Sequence, residues 1–375
     1  MVDLGIRMQL LIGPTLPRPA PFDVVDALME LEVENKDRDA RDGFQMLFSL
    51  GKDSSLDYGL LREGFFDPPN RVVIMVFVGI SAQVLIDGVI THHQVIPSNT
   101  PGESTLYVTG RDIGLQLDLE EKNATFKNMS DSAIVEKIIG SPEYVAYGLK
   151  PQVTRTTEVP VETSRIRTQQ GTDLAYIQEL AGQNGFVFYI EPTLVPGVNT
   201  AYWGVENRGR PAQPPLSMNM GPDTNVDSPI TFSLDALGPA APQVTIVEPL
   251  TRTAIPIPVP SSPLPSLTGR PATPLRRTIP RNAANLDTVQ ALLQAVSVVS
   301  ASSSDAVTAN GQVDAVRYGR VLQSRRLVGV RGVGSSYNGE YYVTQVKHRI
   351  KRGQYTQSFQ LRREGRGATS PTVTT

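Results

Sequence analysis

The sequence contains no cysteine, which excludes disulfide bonds, thiolate nucleophiles and cysteine-based metal sites. Only three histidines and one tryptophan are present, which argues against a histidine-rich metal centre and against a ligand-binding platform of tryptophans. Charged residues make up 19% of the chain, and the formal net charge is −2. No overall field therefore favours binding to nucleic acid or to an acidic membrane.

Long apolar stretches are also missing. The longest, Val72–Ile80, has about nine residues and is too short to cross a bilayer as a helix. The amino terminus has a short apolar run, Met8–Ile12, without the basic and long apolar regions of a signal peptide. We therefore expect a protein that folds in a cytoplasm and has no direct membrane anchor.

Glycine and proline are abundant, with 31 and 30 of 375 residues. Together with many short apolar runs, they favour a β-rich (α+β) protein of two or three domains. Strands are predicted in the run from Asp23 to Glu34, in Arg71–Val78 and in most of residues 311–364. Asp87-Gly88 and Asn338-Gly339 each stand between apolar runs, which predicts a hairpin turn at both places.

A few helices interrupt this pattern. Ser130 and Thr172 each precede an acidic residue and an apolar stripe at helical spacing, and Gly140 and Gly185 end the two stripes. A third stripe predicts a helix over Leu286–Val299, followed by a flexible break at residues 301–304. The proline-rich stretch from Ile255 to Pro265 cannot donate a continuous hydrogen-bond ladder, so we expect an extended linker or an arm lying on a neighbour.

Charge is distributed unevenly along the chain. The segment from Arg317 to Arg366 holds 12 lysines and arginines against two acidic residues. Such asymmetry indicates either a contact between oppositely charged surfaces, for example between subunits, or a solvated basic face. Tyrosines near these charges also allow an oligonucleotide-binding barrel, but their alternation is more typical of strand packing.

The residues that could serve in catalysis or binding are better explained by structural roles. His92 and His93 are adjacent and would point to opposite faces of a strand, which argues against a shared metal ion. The acid pairs Glu120-Glu121 and Glu158/Glu162 resemble glycosidase carboxylates only in type, because no aromatic cleft flanks them. The glycines of Gly329–Gly334 lack the following helix of a dinucleotide site. We predict no catalytic, cofactor-binding or metal-binding residues, and a protein that is not an enzyme.

Two parts of the chain follow a similar plan. Residues 88–108 and 339–361 each contain a strand, a turn with glycine, and a second strand. This internal similarity, about 250 residues apart, predicts two related β-barrels.

Several segments resemble, in order and spacing, the phage late control protein D family, the baseplate hub group that includes the amino-terminal part of VgrG spikes. They are Leu106–Asp112, Ser130–Val135, Gln169–Phe186 and Gly332–Val343, followed by His348. The resemblance covers most of residues 20–200 and 311–364. It implies two tube-forming β-barrel domains, interleaved in sequence.

On this resemblance, residues 1–110 with 200–245 would form the first barrel and 111–199 with 311–364 the second. Residues 246–310 would be a proline-rich insertion or arm with a short helix, and 365–375 a flexible tail. Because nothing after residue 365 matches the neck and spike of VgrG, the spike would be a separate protein.

The family implies a structural function. The chain would be a homotrimeric adapter between the hexameric inner tube and the trimeric spike of a contractile, phage tail-like injection system, in contact with baseplate wedge proteins and not with nucleic acid. It would belong to a virion or to an injection particle. A tail-associated peptidoglycan hydrolase and a carbohydrate-binding tail module are the alternatives.

Overall fold

The computed structural model describes residues 5–37, 42–51, 58–100, 102–159, 166–247, 254–257, 259, 262, 264–279 and 288–369. Within these residues, 13 strands form one large sheet and the others form five small sheets. The prediction of a β-rich protein with a few helices is confirmed.

The first unit is formed by the amino-terminal strands of the large sheet. Its elements are β1 (Arg7–Gly13), β2 (Arg18–Pro19), α1 (Phe22–Ala27), β3 (Leu28–Lys36), β4 (Gly43–Leu50), α2 (Gly59–Arg62), β5 (Arg71–Val78), β6 (Ser81–Ile96) and β7 (Ser104–Asp112). The main strands lie in the order β1-β5-β6-β7-β4-β3, and β2 pairs with β1. Their alternating apolar side chains share one core around Leu31, Met46 and Ile74.

A middle domain with its own core follows. After a 3-10 turn at Ile113–Asp118, its elements are β8 (Glu121–Phe126), α3 (Asp131–Ile139), α4 (Pro142–Val145), β9 (Leu149–Val153), β10 (Arg167–Thr172), α5 (Asp173–Asn184), β11 (Val187–Pro192) and β12 (Asn199–Gly204). Both predicted helices are confirmed. The hydroxyl groups of Ser130 and Thr172 accept the backbone N–H groups of Ala133 and Ala175, and Gly185 ends α5 in the left-handed conformation.

The rest of the chain forms a second unit and an arm. The elements are β13 (Gln213–Ser217), β14 (Thr231–Leu234), β15 (Ala240–Pro242), β16 (Val244–Val247), β17 (Ala254–Ile257), β18 (Arg270–Pro271), β19 (Arg276–Thr278), α6 (Thr288–Ser304), β20 (Val307–Asp314), α7 (Ala315–Tyr318), β21 (Leu327–Arg331), β22 (Gly339–Lys351), β23 (Gln354–Arg363) and β24 (Gly365–Arg366), with a 3-10 turn at Gly221–Asp223. The second unit has the strand order β13-β21-β22-β23-β20-β14. Its core contains Val330, Tyr341 and Phe359.

The two units have the same topology. In each, the first main strand along the chain lies at one end of the row and the second lies at the other end, beside the third. The last three strands fill the row between them, and a short helix, α2 or α7, precedes these three. One difference is that β1 pairs antiparallel with β5, whereas β13 pairs parallel with β21.

The central hairpins of the two units also share an irregularity. Thr91 in β6 and Thr344 in β22 are each the extra residue of a β-bulge. The Thr91 hydroxyl donates to the carbonyl oxygen of Thr109 at 3.3 Å, and the Thr344 hydroxyl donates to that of Gln360 at 3.1 Å. Thr109 and Gln360 stand opposite the residue that follows each bulge. The two hairpins can therefore be aligned residue by residue.

The domain boundaries differ from those predicted. Strand β13 pairs with β21 and β14 pairs with β20, so residues 213–234 belong to the second unit and not to the first. The described strands of residues 113–204 belong to the middle domain, and none of them pairs with a strand of the second unit. The apolar periods predicted the elements, but the partner of a strand is set by long-range packing that short-range periodicity does not contain.

Asp87-Gly88 does not form the predicted hairpin turn. Both residues lie inside the continuous strand β6, and the turn lies between Val78 and Ser81. The Asp87 carboxylate is buried against the Arg71 guanidinium, at 2.7 Å for both pairs of atoms. Gly88 is required because a Cβ there would lie 2.2 Å from the carbonyl oxygen of Arg111. The hairpin predicted at Asn338-Gly339 exists between β21 and β22, but its loop spans residues 332–338, and Gly339 is already paired with Val330.

Three smaller expectations were wrong. The run from Asp23 begins as helix α1 and becomes strand β3 only at Leu28. The predicted break at residues 301–304 lies inside α6, which continues to Ser304. The predicted flexible tail begins with β24, which pairs with β18; residues 370–375 lie outside the described residues.

The arm comprises residues between β14 and β20. The predicted extended stretch begins as β17, which makes a ladder of four residue pairs with β16, and only part of the remainder to Pro265 is described. The arm returns to the second unit through Leu267, whose backbone N–H donates to the Glu364 carboxylate at 3.1 Å. In the described part of the chain, no helix has the length and apolar composition needed to span a membrane.

Candidate assembly site

The two units are joined edge to edge. The second half of β22 pairs antiparallel with β3, from Gln345 opposite Lys36 to Lys351 opposite Glu30. Because β22 belongs to the second unit and β3 to the first, this pairing makes their strands one sheet. The joint between the units is the first component of the candidate site.

Alternating charges line one face of this joint. Lys347 Nζ lies 2.8 Å from Glu32 and Lys351 Nζ lies 3.2 Å from Glu30. Arg349 stands between them and contacts both acids. The hydrogen bond from Arg349 lowers the pKa of Glu30, so this carboxylate stays charged over a wider range of pH. We call these five residues the charged ladder.

Ion pairs between the two units, inside and outside the charged ladder, explain much of the uneven charge distribution. Six basic residues of the carboxy-terminal segment pair with acids of residues 26–42, and these are Arg325, Lys347, Arg349, Lys351, Arg352 and Arg362. The predicted contact between oppositely charged surfaces therefore exists within one chain, between its two units.

A buried arginine fixes the joint at one end. Arg325, which precedes β21, donates to both carboxylate oxygens of Asp42 at 2.8 Å. It also donates to the carbonyl oxygens of Lys36 and of Ile190 in the middle domain, and its guanidinium lies 4.4 Å from the centre of the Tyr189 ring. One side chain thus contacts both units and the middle domain, which limits rotation between them.

A second buried group lies nearby. Arg362 pairs with Asp37 of the first unit at 2.7 Å and with Asp305 at 3.1 Å. It also pairs with Glu206, which in turn accepts from Arg208 at 2.7 Å. These charges hold the joint at a fixed orientation because relative movement would separate the buried Arg362 guanidinium from Asp37 and Glu206, which are themselves largely shielded from water.

Two equivalent strand edges elsewhere in the sheet have no partner among the described strands. In β6 the pairing with β5 ends at Val89, and no described strand pairs with the same edge of residues 91–96. At the far end of the second unit, β14 pairs only with β20 among the described strands. Thr91, His92, Gln94 and Ile96 are exposed, as are Thr231, Ser233 and Leu234. These two open edges are the second component of the candidate site.

Sequence reasoning missed both edges. An open edge has the same composition as a paired one, and only its exposure distinguishes it. Val95-Ile96 and Leu234 are apolar residues at or beside solvent, at 44% exposure for Ile96 and 41% for Leu234. An exposed strand edge with apolar side chains is a template for pairing with another chain.

The histidines do not meet. His92 is exposed, whereas the Nδ1 atom of half-buried His93 lies 3.0 Å from the carbonyl oxygen of Phe66. His348 is buried in β22, where its Nδ1 atom lies 2.9 Å from the Tyr355 hydroxyl. Among the described residues, no group of three or more histidine, aspartate or glutamate side chains is placed to hold a metal ion.

The candidate glycosidase carboxylates and the glycines of residues 329–334 do not lie in the surroundings that these functions require. Glu120 and Glu121 are exposed, and Glu158 is partly buried on a loop, while Glu162 lies outside the described residues. Gly332 and Gly334 form the turn that leads from β21 into β22, and no helix follows. This position therefore lacks the strand–turn–helix context of a dinucleotide site.

The aromatic residues of the basic carboxy-terminal segment described below, and the single tryptophan, are buried and form no exposed platform. Tyr341, Tyr342, Tyr355 and Phe359 are at most 2% exposed and pack in the sheet cores. Trp203 is fully buried in the middle domain and donates to the carbonyl oxygen of Ile177 at 3.2 Å. Base or sugar stacking on these rings would require them to leave the core.

Comparison with solved structures shows the fold. A tail protein from Neisseria meningitidis MC58 matches with a TM-score of 0.63 at 13% identity, covering 97% of this chain and 98% of that chain. The 43 kDa tail protein of prophage MuSo2 from Shewanella oneidensis matches with a TM-score of 0.61 at 14% identity, covering 95% and 98%.

Secretion-system proteins match as well. The E. coli c3393 protein, a component of the type VI secretion system described as similar to the T4 tail proteins gp27 and gp5, has a TM-score of 0.54 at 12% identity, covering 92% of this chain and 76% of that chain. A chain of the Francisella PdpA-VgrG complex has a TM-score of 0.59 at 8% identity, covering 99% and 60%.

Comparisons of sequence give less. A family model described as the Alg8 N-terminal domain matches residues 44–198, which is less than half of the chain. The matched segment begins inside β4 and crosses from the first unit into the middle domain, so it does not follow a structural boundary. No curated protein matches. The solved structures, and not the sequence comparisons, thus show that the chain has the fold of phage tail and VgrG-like proteins.

Proposed function

We propose that the protein is the baseplate hub of a contractile, phage tail-like injection system. Three copies would form a ring that adapts a hexameric inner tube on one side to a trimeric spike on the other. Its function is assembly and not catalysis. The ring would be built in the bacterial cytoplasm and would belong to a tail-like particle.

The observation that carries this proposal is the repeated topology of the two units. Each chain contains two six-stranded units of the same plan, joined edge to edge. Three such chains contain six similar units, so a threefold assembly can present six similar contacts to a sixfold tube. The fold shared with tail proteins from Neisseria and Shewanella supports the same function.

The rigidity of the joint supports the adapter role. The ring can close only if the angle between the two units is reproducible from copy to copy. Arg325 and Arg362 fix this angle through buried ion pairs with Asp42 and Asp37. Inner tube, spike and baseplate wedge proteins are the expected partners, and they would bind the faces of the ring.

The first test is stoichiometry. The purified protein alone should have three times the chain mass of 40.8 kDa, measured by light scattering, and a complex with its inner tube and spike proteins should contain three copies of it. Electron cryo-microscopy of the mixture should show a threefold ring with a central channel. A protein that stays monomeric with both partners contradicts the proposal. Zymography on peptidoglycan tests the alternative hydrolase, for which a cleared band is the expected result.

A further inference from the structure

We infer that neighbouring copies of the chain join by strand addition, with β14 of one copy pairing antiparallel with residues 91–96 of β6 in the next. The register is the one that β3 and β22 use within the chain. This inference rests on the proposed ring and identifies the surface that would close it.

The central strands of the two units explain why β6 should accept a partner. In β22, one edge pairs with β23 along most of the strand, and the other edge pairs first with β21 and then with β3. In β6, one edge pairs with β7, and the other pairs with β5 only as far as Val89. Residues 91–96 are thus the counterpart of the segment that receives β3, and in the described chain no strand occupies that place.

The end strands supply the matching partner. Strand β3 pairs with β4 on one edge and with β22 on the other. Its counterpart β14 pairs with β20 on one edge and ends the row of described strands on the other. Among the described strands, β14 therefore has one unpaired edge at an end of the sheet, and residues 91–96 of β6 have an unpaired edge where the pairing with β5 has stopped.

The register follows from the shared bulge. Thr91 and Thr344 are equivalent, so Gln94 corresponds to Lys347 and Ile96 to Arg349. In the second unit, Thr231 pairs with Asn310, which pairs with Gln360. In the first unit, Glu32 pairs with Gln45, which pairs with Thr109. Because Gln360 and Thr109 are equivalent, Thr231 and Glu32 are equivalent as well.

Transferring the pairs of the joint then gives the contacts between copies. The counterpart of the pair Lys347–Glu34 is Gln94 of one copy opposite Ser233 of the next. The counterpart of the pair Arg349–Glu32 is Ile96 opposite Thr231.

The side chains brought together in this register are compatible. Val95 would lie opposite Phe232, and each already packs at the border of its own core, so the contact would join the two cores. Exposed His92 would lie opposite exposed Asp235, which allows a hydrogen bond or an ion pair. No pair in this register places like charges opposite each other.

The contact is head to tail, because two different surfaces meet. Repeating it produces a ring when the rotation closes and an open filament when it does not. Backbone hydrogen bonds would supply much of the affinity, as in other cases of strand addition. Unlike the charged ladder within the chain, the transferred pairs are mostly uncharged, so this contact should persist in high salt.

Cysteine cross-linking tests the inference directly, because the chain has no cysteine of its own. The double variant Gln94→Cys/Ser233→Cys should form disulfides between copies under mild oxidation. Denaturing gels should then show dimers and a limiting trimer. Glu34→Cys/Lys347→Cys is the matched positive control, because it places the same pair geometry within one chain and should change mobility without changing mass.

Two further controls examine register and symmetry. Gln94→Cys/Thr231→Cys shifts the pair by two residues, and we expect at least a tenfold lower yield of cross-linked species. Each single variant should remain monomeric on the gel, whereas a self-complementary contact through either edge would produce dimers and would overturn the inference.

The outcomes separate this inference from the proposed function. Native trimers that do not cross-link, while the positive control does, would overturn the strand pairing and leave the trimeric hub intact. Efficient cross-linking that ends at a number other than three would support the pairing and contradict the trimer.

Discussion

At the scale of single residues, buried arginines do the most to hold the parts of the chain together. Arg71 is 2% exposed and pairs with Asp87, which also accepts from the Asn199 amide of the middle domain at 2.8 Å. Arg71 donates further to the carbonyl oxygens of Tyr147 and Gly197. Removing one member of such a group leaves the others buried without partners, which costs more than the pair itself contributes.

Arg71→Leu should therefore lower the free energy of unfolding by about 3–5 kcal/mol, because Asp87 would be left buried without its ionic partner. Urea unfolding followed by circular dichroism measures the change. Arg352→Leu is the matched control, since Arg352 and Asp26 are 71% and 61% exposed, and its effect should stay below about 1 kcal/mol. Equal effects of the two variants would contradict this view of the buried pair.

His348 predicts a dependence of stability on pH. Burial lowers its pKa from 6.5 to about 3, so below pH 6.5 the unfolded chain takes up a proton that the folded chain does not. Its contribution to stability is complete above pH 6.5 and is lost as the pH falls towards 3, at up to about 1.4 kcal/mol per pH unit.

Unfolding measured between pH 7 and pH 4.5 should show this slope in the natural protein and a shallower one in His348→Gln. Parallel curves for the two proteins would show that another group carries the dependence.

At the scale of elements, the turn that leads from β21 into β22 is specified by a close backbone contact. Gly332 has φ of +79°, and a Cβ there would lie 1.6 Å from the carbonyl oxygen of Met218. Gly334 has φ of +90° with nothing within 4 Å of the same position. Substitutions at these two glycines therefore distinguish the cost of a left-handed backbone conformation from the cost of a steric clash.

Gly332→Ala should lower the melting temperature much more than Gly334→Ala. The second change costs only the left-handed conformation, about 1–2 kcal/mol, whereas the first also forces β13 and β21 apart. Thermal unfolding of both variants provides the comparison, and a larger effect at Gly334 would contradict it.

Local elements were predictable where the signal is local. The caps at Ser130 and Thr172 and the stop at Gly185 depend only on neighbouring backbone groups, so the sequence predicted both helices. Asp87-Gly88 was misread because its turn chemistry is overridden by Arg71, a partner that only the folded sheet brings near. The two open edges were invisible for the same reason, since exposure is a property of the assembled sheet.

At the scale of the whole molecule, the charged ladder sets how firmly the two units associate. Its side chains are between about one fifth and one half exposed, so each pair contributes little and is screened by salt. Together with the backbone pairing of β3 and β22, however, they favour one register over its neighbours.

Charge exchange across the ladder tests this role. Glu32→Lys should lower the melting temperature at low salt, because a lysine would then face Lys347 and Arg349, and the free energy change should be about 1 kcal/mol. The double variant Glu32→Lys/Lys347→Glu should recover most of the loss. Half-molar salt should shrink the difference between the single variant and the natural protein. A loss that salt does not reduce would indicate a steric effect.

The internal similarity of residues 88–108 and 339–361 was the most informative long-range signal in the sequence. It predicted two related units, and the structure extends the likeness to all six main strands and to the bulge at Thr91 and Thr344. The membership of residues 200–245 was assigned wrongly because short edge strands such as β14 carry four residues of pattern, too few to indicate a partner.

The pairing of β3 with β22 also has a consequence for biosynthesis. The bonded residues Glu30 and Arg349 are 319 positions apart, so β3 leaves the ribosome long before its partner exists. Until the last hairpin is translated, the nascent first unit carries an uncapped, glutamate-rich border. Until then, the unpaired edge of β3 could pair with another nascent chain instead of with its own β22. The acidic side chains on this edge would repel the same edge of other nascent copies and so disfavour premature association.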